Sequence, residues 1–266
     1  MKKIVAVLWH TSASRMKAII PRVKNEIDLC VYSARSLSNG TESFDALCGD
    51  LDDADFYLFN RTSSDDIWPQ IIDYIKDKTT PLAHVGSEVL SNVTSEEVLR
   101  LSAVCNEYFT YGGLDNMENL IKYAAHTAGD DGIKADAPKA IPWEGIFHPD
   151  EPETVYDTAE EYWSKHPKKN SGTVGILISR ANKINGDIEC ETEIIRLLEI
   201  RGYDVLPVYT YSWKEENLGA KGPKWAIERY CFDSNGMPLI NSLIKMTGFF
   251  IGGRNEAKDD GVFKRL

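Results

Sequence analysis

Residues 173–210 read TVGILISRANKINGDIECETEIIRLLEIRGYDVLPVYT, and this stretch decides the fold class. VGILIS (174–179) is an unbroken apolar run of strand length, which suits a strand buried on both faces. Residues 188–201 follow as a helix, and Gly202 stands where a helix is closed by a C-cap glycine. Residues 203–209 form the next apolar run. Strand, helix and strand in this order make a βα unit whose strands pair in parallel.

Upstream, the same alternation recurs. Strands are expected at 3–9, 29–32, 55–60 and 82–85. A helix is expected over 14–26, with Pro21 as a break or kink, and a short one over 44–51. Residues 66–78 place Ile67, Ile71, Ile72 and Ile75 at helical spacing. Thr94 and Glu97 make a capping-box pattern before a helix to about residue 108, and a further helix covers 116–125. The simplest topology is a flavodoxin-like α/β domain with a parallel sheet over residues 1–127.

Residues 128–170 are rich in Gly, Pro and Asp and read as a linker, with a short helix at 156–165. A second α/β domain over 171–266 then opens with the βα unit above. Its stretch 212–236 is irregular, 239–246 reads as a helix and 249–251 as a third strand. With about three strands, this second domain is expected to be incomplete.

Thirty basic residues against 41 acidic give a net charge of −11, which argues against a general affinity for nucleic acid or anionic membrane. No apolar stretch approaches the length of a membrane span. Cys30, Cys48, Cys105, Cys190 and Cys231 are odd in number and widely spaced, as in reduced thiols of a cytoplasmic protein.

The motifs of common enzymes are absent. There is no G-x-x-x-x-G-K-[ST] loop for ATP and no G-x-G-x-x-G after the first strand. There is no G-x-S-x-G elbow, and no H-x-x-x-H or H-E-x-x-H pair for a metal. Thr11, Ser12 and Ser14 after the first strand suit helix capping or a phosphate. His10 and His84 sit at strand ends, where α/β folds collect binding residues, although a structural or exposed role is the ordinary one. His148, in FHPD, is either a loop hydrogen-bonder or a ligand-facing residue. Arg180 ends a parallel strand, where a guanidinium can meet an anionic ligand in two parallel hydrogen bonds or pair with Glu189 or Asp187. Tyr111-Gly112-Gly113 is a turn at a helix start, and tight backbone packing is its simplest reason.

These pieces fall in a recognisable order: YFTYGGLDNMENLIKY (108–123), WEGIFHPDEP (143–152), EEYW (160–163), VGILISRANKINGD (174–187), LLEIRGYDVLPVY (197–209) and IERYCFDSNGMPLINSLIKMTGFF (227–250). The series resembles the N-terminal part of the large subunit of cobaltochelatase and magnesium chelatase, the CobN/BchH family. There the text runs YGG-x-x-N, G-[IL]-[YF]-HP, VG-[IL]-L-x-x-R, then a helix into DVLPV. Asp187 replaces the common Asn of the family's GN turn, Asn182 a frequent His, and Asn241 a frequent Asp.

The resemblance implies a segment of a tetrapyrrole-binding subunit that inserts Co²⁺ into a corrin precursor, hydrogenobyrinate a,c-diamide, in cobalamin synthesis. The magnesium branch, which metallates a protoporphyrin, is the alternative. ATP and its Mg²⁺ would be used by separate AAA+ motor and bridging subunits, with no cofactor, catalytic residue or metal site in this segment. Arg180, His148, Tyr111, Gly112, Gly113, Asn116 and His10 are the implied candidates for facing the ring or a domain interface. The segment alone would be inactive. The reading from another class is a stand-alone, non-catalytic α/β ligand-binding or scaffold module.

Overall fold

Strand β1 (Lys2–Leu8) buries both of its faces, and this organises the first half of the chain. Ile4, Ala6 and Leu8 enter one apolar cluster, while Val5 and Val7 enter another on the opposite side of the sheet. A parallel strand flanked by helices must be apolar on both faces, which is why its sequence does not alternate. The computed structural model describes residues 1–61, 67–86, 95–169 and 172–248.

After β1 come α1 (His10–Lys17), α2 (Ile20–Val23), β2 (Ile27–Ser33), α3 (Ala34–Ser38), α4 (Phe44–Asp53), β3 (Phe56–Phe59), α5 (Trp68–Ile75), β4 (Leu82–His84), α6 (Glu96–Tyr111) and α7 (Leu114–Thr127). The four strands are all parallel, in the order β2-β1-β3-β4. That is the order expected of a flavodoxin-like sheet. Helices α1, α6 and α7 pack on one face through Met16, Leu101, Cys105, Leu120 and Ile121. Helices α4 and α5 cover the other through Leu47, Leu51, Trp68 and Ile71. Each such side chain removed from water contributes about 1.5–3 kcal/mol before entropy is counted.

Two details depart from the sequence reading. The helix expected over 14–26 is divided into α1 and α2, with Pro21 in the first turn of α2, where its missing N–H costs no helical bond. The cap of α6 is Ser95, whose hydroxyl accepts the Val98 N–H. Thr94 and Asp66 lie outside the described residues.

The chain divides into two compact units, Met1–Ala140 and Ile141–Leu266. In the second, β5 (Gly145–His148) and β6 (Glu151–Tyr156) form a hairpin, followed by α8 (Ala159–Lys165), β7 (Thr173–Ser179), α9 (Arg180–Asn185), α10 (Glu189–Ile200), β8 (Asp204–Thr210), α11 (Gly222–Tyr230) and β9 (Ser242–Lys245). The sheet runs β6-β5-β8-β7-β9. Strands β7, β8 and β9 are parallel, and β5 is antiparallel to both neighbours.

Three expectations are corrected here. Residues 145–156 are strands, not loop. Pro152 and the exposed Glu151 and Glu153 lie on the edge strand β6, the one place in a sheet that tolerates them. The irregular stretch 212–236 contains α11. Residues 242–245 of the expected helix 239–246 are strand β9, paired with β7 from Val174↔Ser242 to Leu177↔Lys245. A short apolar run does not distinguish helix from strand, and here the free edge of β7 decides. The expected strand at 249–251 lies outside the described residues.

Candidate functional site at the carboxyl edge of the second sheet

Strands β7 and β8 finish level, with Ser179 opposite Thr210. Strand β5 runs the other way, with Gly145 opposite Tyr209. Its amino end therefore brings Trp143 and Glu144 to the edge where β7 and β8 stop. The carboxyl ends of parallel strands are where α/β sheets bind ligands.

Arg180 is the first residue of α9 and is buried. Its Nε donates to the Pro142 carbonyl at 3.0 Å and its Nη2 to the Ile141 carbonyl at 3.0 Å. Its guanidinium carbon lies 4.1 Å from the centre of the Trp143 ring. The Tyr209 hydroxyl donates to the same Pro142 carbonyl at 3.4 Å. Trp143 meets Tyr211 edge-on at 5.3 Å, and Tyr211 meets Trp213 in the same way at 5.3 Å. The result is a continuous ladder from Tyr209 through Arg180 and Trp143 to Tyr211 and the exposed Trp213. Arg180 thus fixes the segment entering β5, and its fork is spent partly on main-chain oxygens.

Glu144 is buried beside it and accepts the N–H groups of Lys221 at 3.0 Å and Gly222 at 2.9 Å. A carboxylate at the start of α11 satisfies donors that a helix leaves unpaired. Burial nevertheless pushes its carboxyl above the usual range, against those hydrogen bonds and the Arg180 charge. Gly222 is left-handed at φ +80°, and a Cβ there would lie 2.7 Å from the Lys214 nitrogen.

Lys183, one turn into α9, holds its Nζ 5.2 Å from the Tyr209 ring centre and 6.0 Å from that of Phe147. Burial first, and the Arg180 charge after it, pull its amine below the ordinary lysine value; the Glu153 carboxylate acts the other way.

The remaining candidates lie elsewhere. His148 is buried at the far end of β5. Its Nδ1 accepts the Asp150 N–H at 3.2 Å, which leaves the proton on Nε2 to meet Glu199 Oε1 at 3.1 Å. Its ring stacks on His166 at 4.0 Å. Burial first, and the neighbouring His148 ring after it, lower the His166 pKa. These groups line a cleft of ≈ 310 Å³ together with Tyr162, Trp163 and Arg196.

His10, Tyr111, Gly112, Gly113 and Asn116 belong to the first unit. His10 is exposed at the start of α1. Gly112 (φ +70°) and Gly113 (φ +82°) turn the chain between α6 and α7 in a conformation that suits glycine. Asn116 is buried there and hydrogen-bonds Gly112 and Lys139. His84 is buried at the end of β4 with Nε2 unpartnered. Among the described residues no group of three or more His, Cys, Asp or Glu could hold a metal ion.

Sequence reasoning singles out Arg180 but misses Trp143, Glu144, Lys183, Tyr209 and Tyr211. The WEG sequence before β5 is the available signal. Two departures from the family text have structural work. Asn182 donates to the buried Glu191 at 3.1 Å, and Asn241 accepts the Thr173 N–H at 2.7 Å where β9 joins β7.

Comparison with known proteins places this architecture. A structure of the catalytic subunit of cobaltochelatase from Mycobacterium tuberculosis superposes with a TM-score of 0.58 at 18% identity, covering 95% of this chain and 18% of that one. An uncharacterised protein of Methanocaldococcus jannaschii is 29% identical over 253 residues, 94% of this chain and 19% of that protein. A magnesium-chelatase subunit of Rhodobacter capsulatus is 29% identical over 173 residues, 63% of this chain and 13% of that protein. The chloroplastic ChlH protein of rice, also a magnesium-chelatase subunit, is 28% identical over 201 residues, 69% of this chain and 14% of that protein. The chain thus spans less than a fifth of the length of these relatives. No described helix is long and apolar enough to cross a membrane. The profile described as CobN/Magnesium Chelatase matches residues 106–265, which include the whole ladder, and the chain belongs to that family.

Proposed function

We propose that this chain is the head segment of the tetrapyrrole-binding large subunit of an ATP-dependent metal chelatase. The observation that carries the reading is the family match over residues 106–265, which runs through both the ladder and the Tyr111–Asn116 turn. Metal insertion poses two physical problems. A small hydrated dication must shed its water, which it does reluctantly. The macrocycle must lose two pyrrole protons and open to the metal. A large subunit that grips the ring can supply the distortion, and separate AAA+ motor and bridging subunits using ATP and Mg²⁺ can drive the cycle. Alone, the segment shapes access to the ring and docks partners, and has no chelatase activity. Its free cysteines suit a cytoplasmic setting.

Cobalt is the metal we favour, because the sequence as a whole resembles the cobalt branch more closely. The ring would be hydrogenobyrinate a,c-diamide. The test joins this chain to the remainder of its large subunit and the motor subunits, then follows absorbance. We expect ATP-dependent Co²⁺ insertion into the corrin precursor. Mg²⁺ insertion into protoporphyrin instead would move the protein to the magnesium branch. No insertion of either metal would leave a non-catalytic ligand-binding module.

A further inference from the structure

The amine of Lys183 is the feature that the fold leaves unexplained. Among the described residues its Nζ has no hydrogen bond and no ion pair, and lies only over the rings of Tyr209 and Phe147. We propose that Lys183 anchors a carboxylate of a flat, π-rich anionic ligand lying along the Trp143–Tyr211–Trp213 ladder. The inference rests on the chelatase reading only for the identity of that ligand, a tetrapyrrole with peripheral carboxylates.

Three observations support it. First, charge: a partly buried ammonium beside a second cation, Arg180, is an unfavourable placement that an incoming anion relieves. Second, surface: Trp143 and Tyr211 are half-buried and Trp213 is exposed, so the ladder offers ring surface at the edge where β7 and β8 end. Flat π-systems stack on or against such rings. Third, the anion class: the Lys221 and Gly222 N–H groups at the start of α11 are already taken by Glu144. That removes the helix-start donors that favour a phosphate, and the Lys183 ammonium remains able to hold a carboxylate. Glu153, exposed on β6, acts on the same amine through space and is its built-in competitor.

The test uses the 266-residue chain and fluorescence anisotropy of three probes. They are deuteroporphyrin IX, its dimethyl ester, and pyrene-1-butyrate, a flat carboxylate that is no tetrapyrrole. Lys183→Met should weaken binding of both acids by about tenfold, the size of one lost charge-assisted contact. Lys183→Arg should keep most of the affinity, and Glu153→Gln should raise it. The ester should bind wild type and Lys183→Met alike. Circular dichroism checks that each variant is folded. Equal binding of the acids by wild type and Lys183→Met would overturn the proposal, as would equal affinity for acid and ester, or no binding of either acid. Lysine-dependent binding of pyrene-1-butyrate without porphyrin binding would uphold the anchor and count against the tetrapyrrole reading.

Discussion

The carboxamide of Asn116 closes on the backbone of Lys139 in both directions. Its Nδ2 donates to the Lys139 carbonyl at 2.8 Å and its Oδ1 accepts the Lys139 N–H at 2.9 Å, while Nδ2 also donates to the Gly112 carbonyl at 2.8 Å. One buried side chain thus ties the α6–α7 turn to the segment that ends the first unit. Asn116→Ala should destabilise that unit by about 2–4 kcal/mol, since it strands main-chain groups that three hydrogen bonds had satisfied. Asn116→Asp should cost at least as much despite its shape, because a carboxylate has no donor for the two carbonyls. Urea unfolding would measure both. A cost below that of an ordinary surface change would show that water replaces the amide.

His84 gives the first unit a pH dependence. Burial pushes its imidazole down to about 4 from an ordinary 6.5. The unfolded chain therefore binds the proton first as pH falls. Stability is full above pH 6.5 and is lost progressively between 6.5 and about 4. From pH 6.5 to 5 the loss should approach about 2 kcal/mol. Hydrogen exchange of the β1 and β3 amides would read it, and His84→Leu should flatten the slope over that interval. An unchanged slope would mean that His84 titrates as an exposed histidine.

How far the sequence can be read follows the same physics. The parallel strands are legible because two-sided burial demands unbroken apolar runs, and VGILIS at 174–179 is such a run. The hairpin at 145–156 is not legible: β6 is exposed along most of its length and carries Pro152, so its composition is that of a loop. β9 reads as a helix because its partner, β7, is 68 residues away along the chain from Asn241 to Thr173. Arg180 is conspicuous as a lone cation at a strand end. Lys183 is hidden, since only the folded positions of Phe147 and Tyr209 make its amine unusual.

Gly175 permits the approach of β9. A Cβ there would lie 2.7 Å from Ile240 Cδ1 and 3.1 Å from Leu243 Cδ1. Gly175→Val must push both side chains aside in a packed layer, an overpacking cost of about 1–3 kcal/mol. Gly175→Ala should cost less, because the atoms it meets are ends of flexible side chains. Thermal unfolding of the two variants should rank them in that order. The reverse order would show that β9 lifts away as a unit.

Arg180 separates a positioning role from ligand contact. Its guanidinium holds two main-chain carbonyls and lies on Trp143, so Arg180→Ala should destabilise the second unit by about 3 kcal/mol through lost charge-assisted bonds and stacking. Arg180→Lys keeps the charge but loses the planar fork that reaches Ile141 and Pro142 together, so it should recover less than half of that. Removing the Arg180 charge also relieves Lys183, whose amine pKa should rise toward the ordinary value in Arg180→Ala. An NMR titration of a Lys183-resolved signal would follow it. If the Lys183 pKa rises while pyrene-1-butyrate affinity falls only modestly, Arg180 positions the edge and Lys183 meets the ligand. If affinity collapses in Arg180→Ala with the fold intact, the guanidinium itself faces the anion.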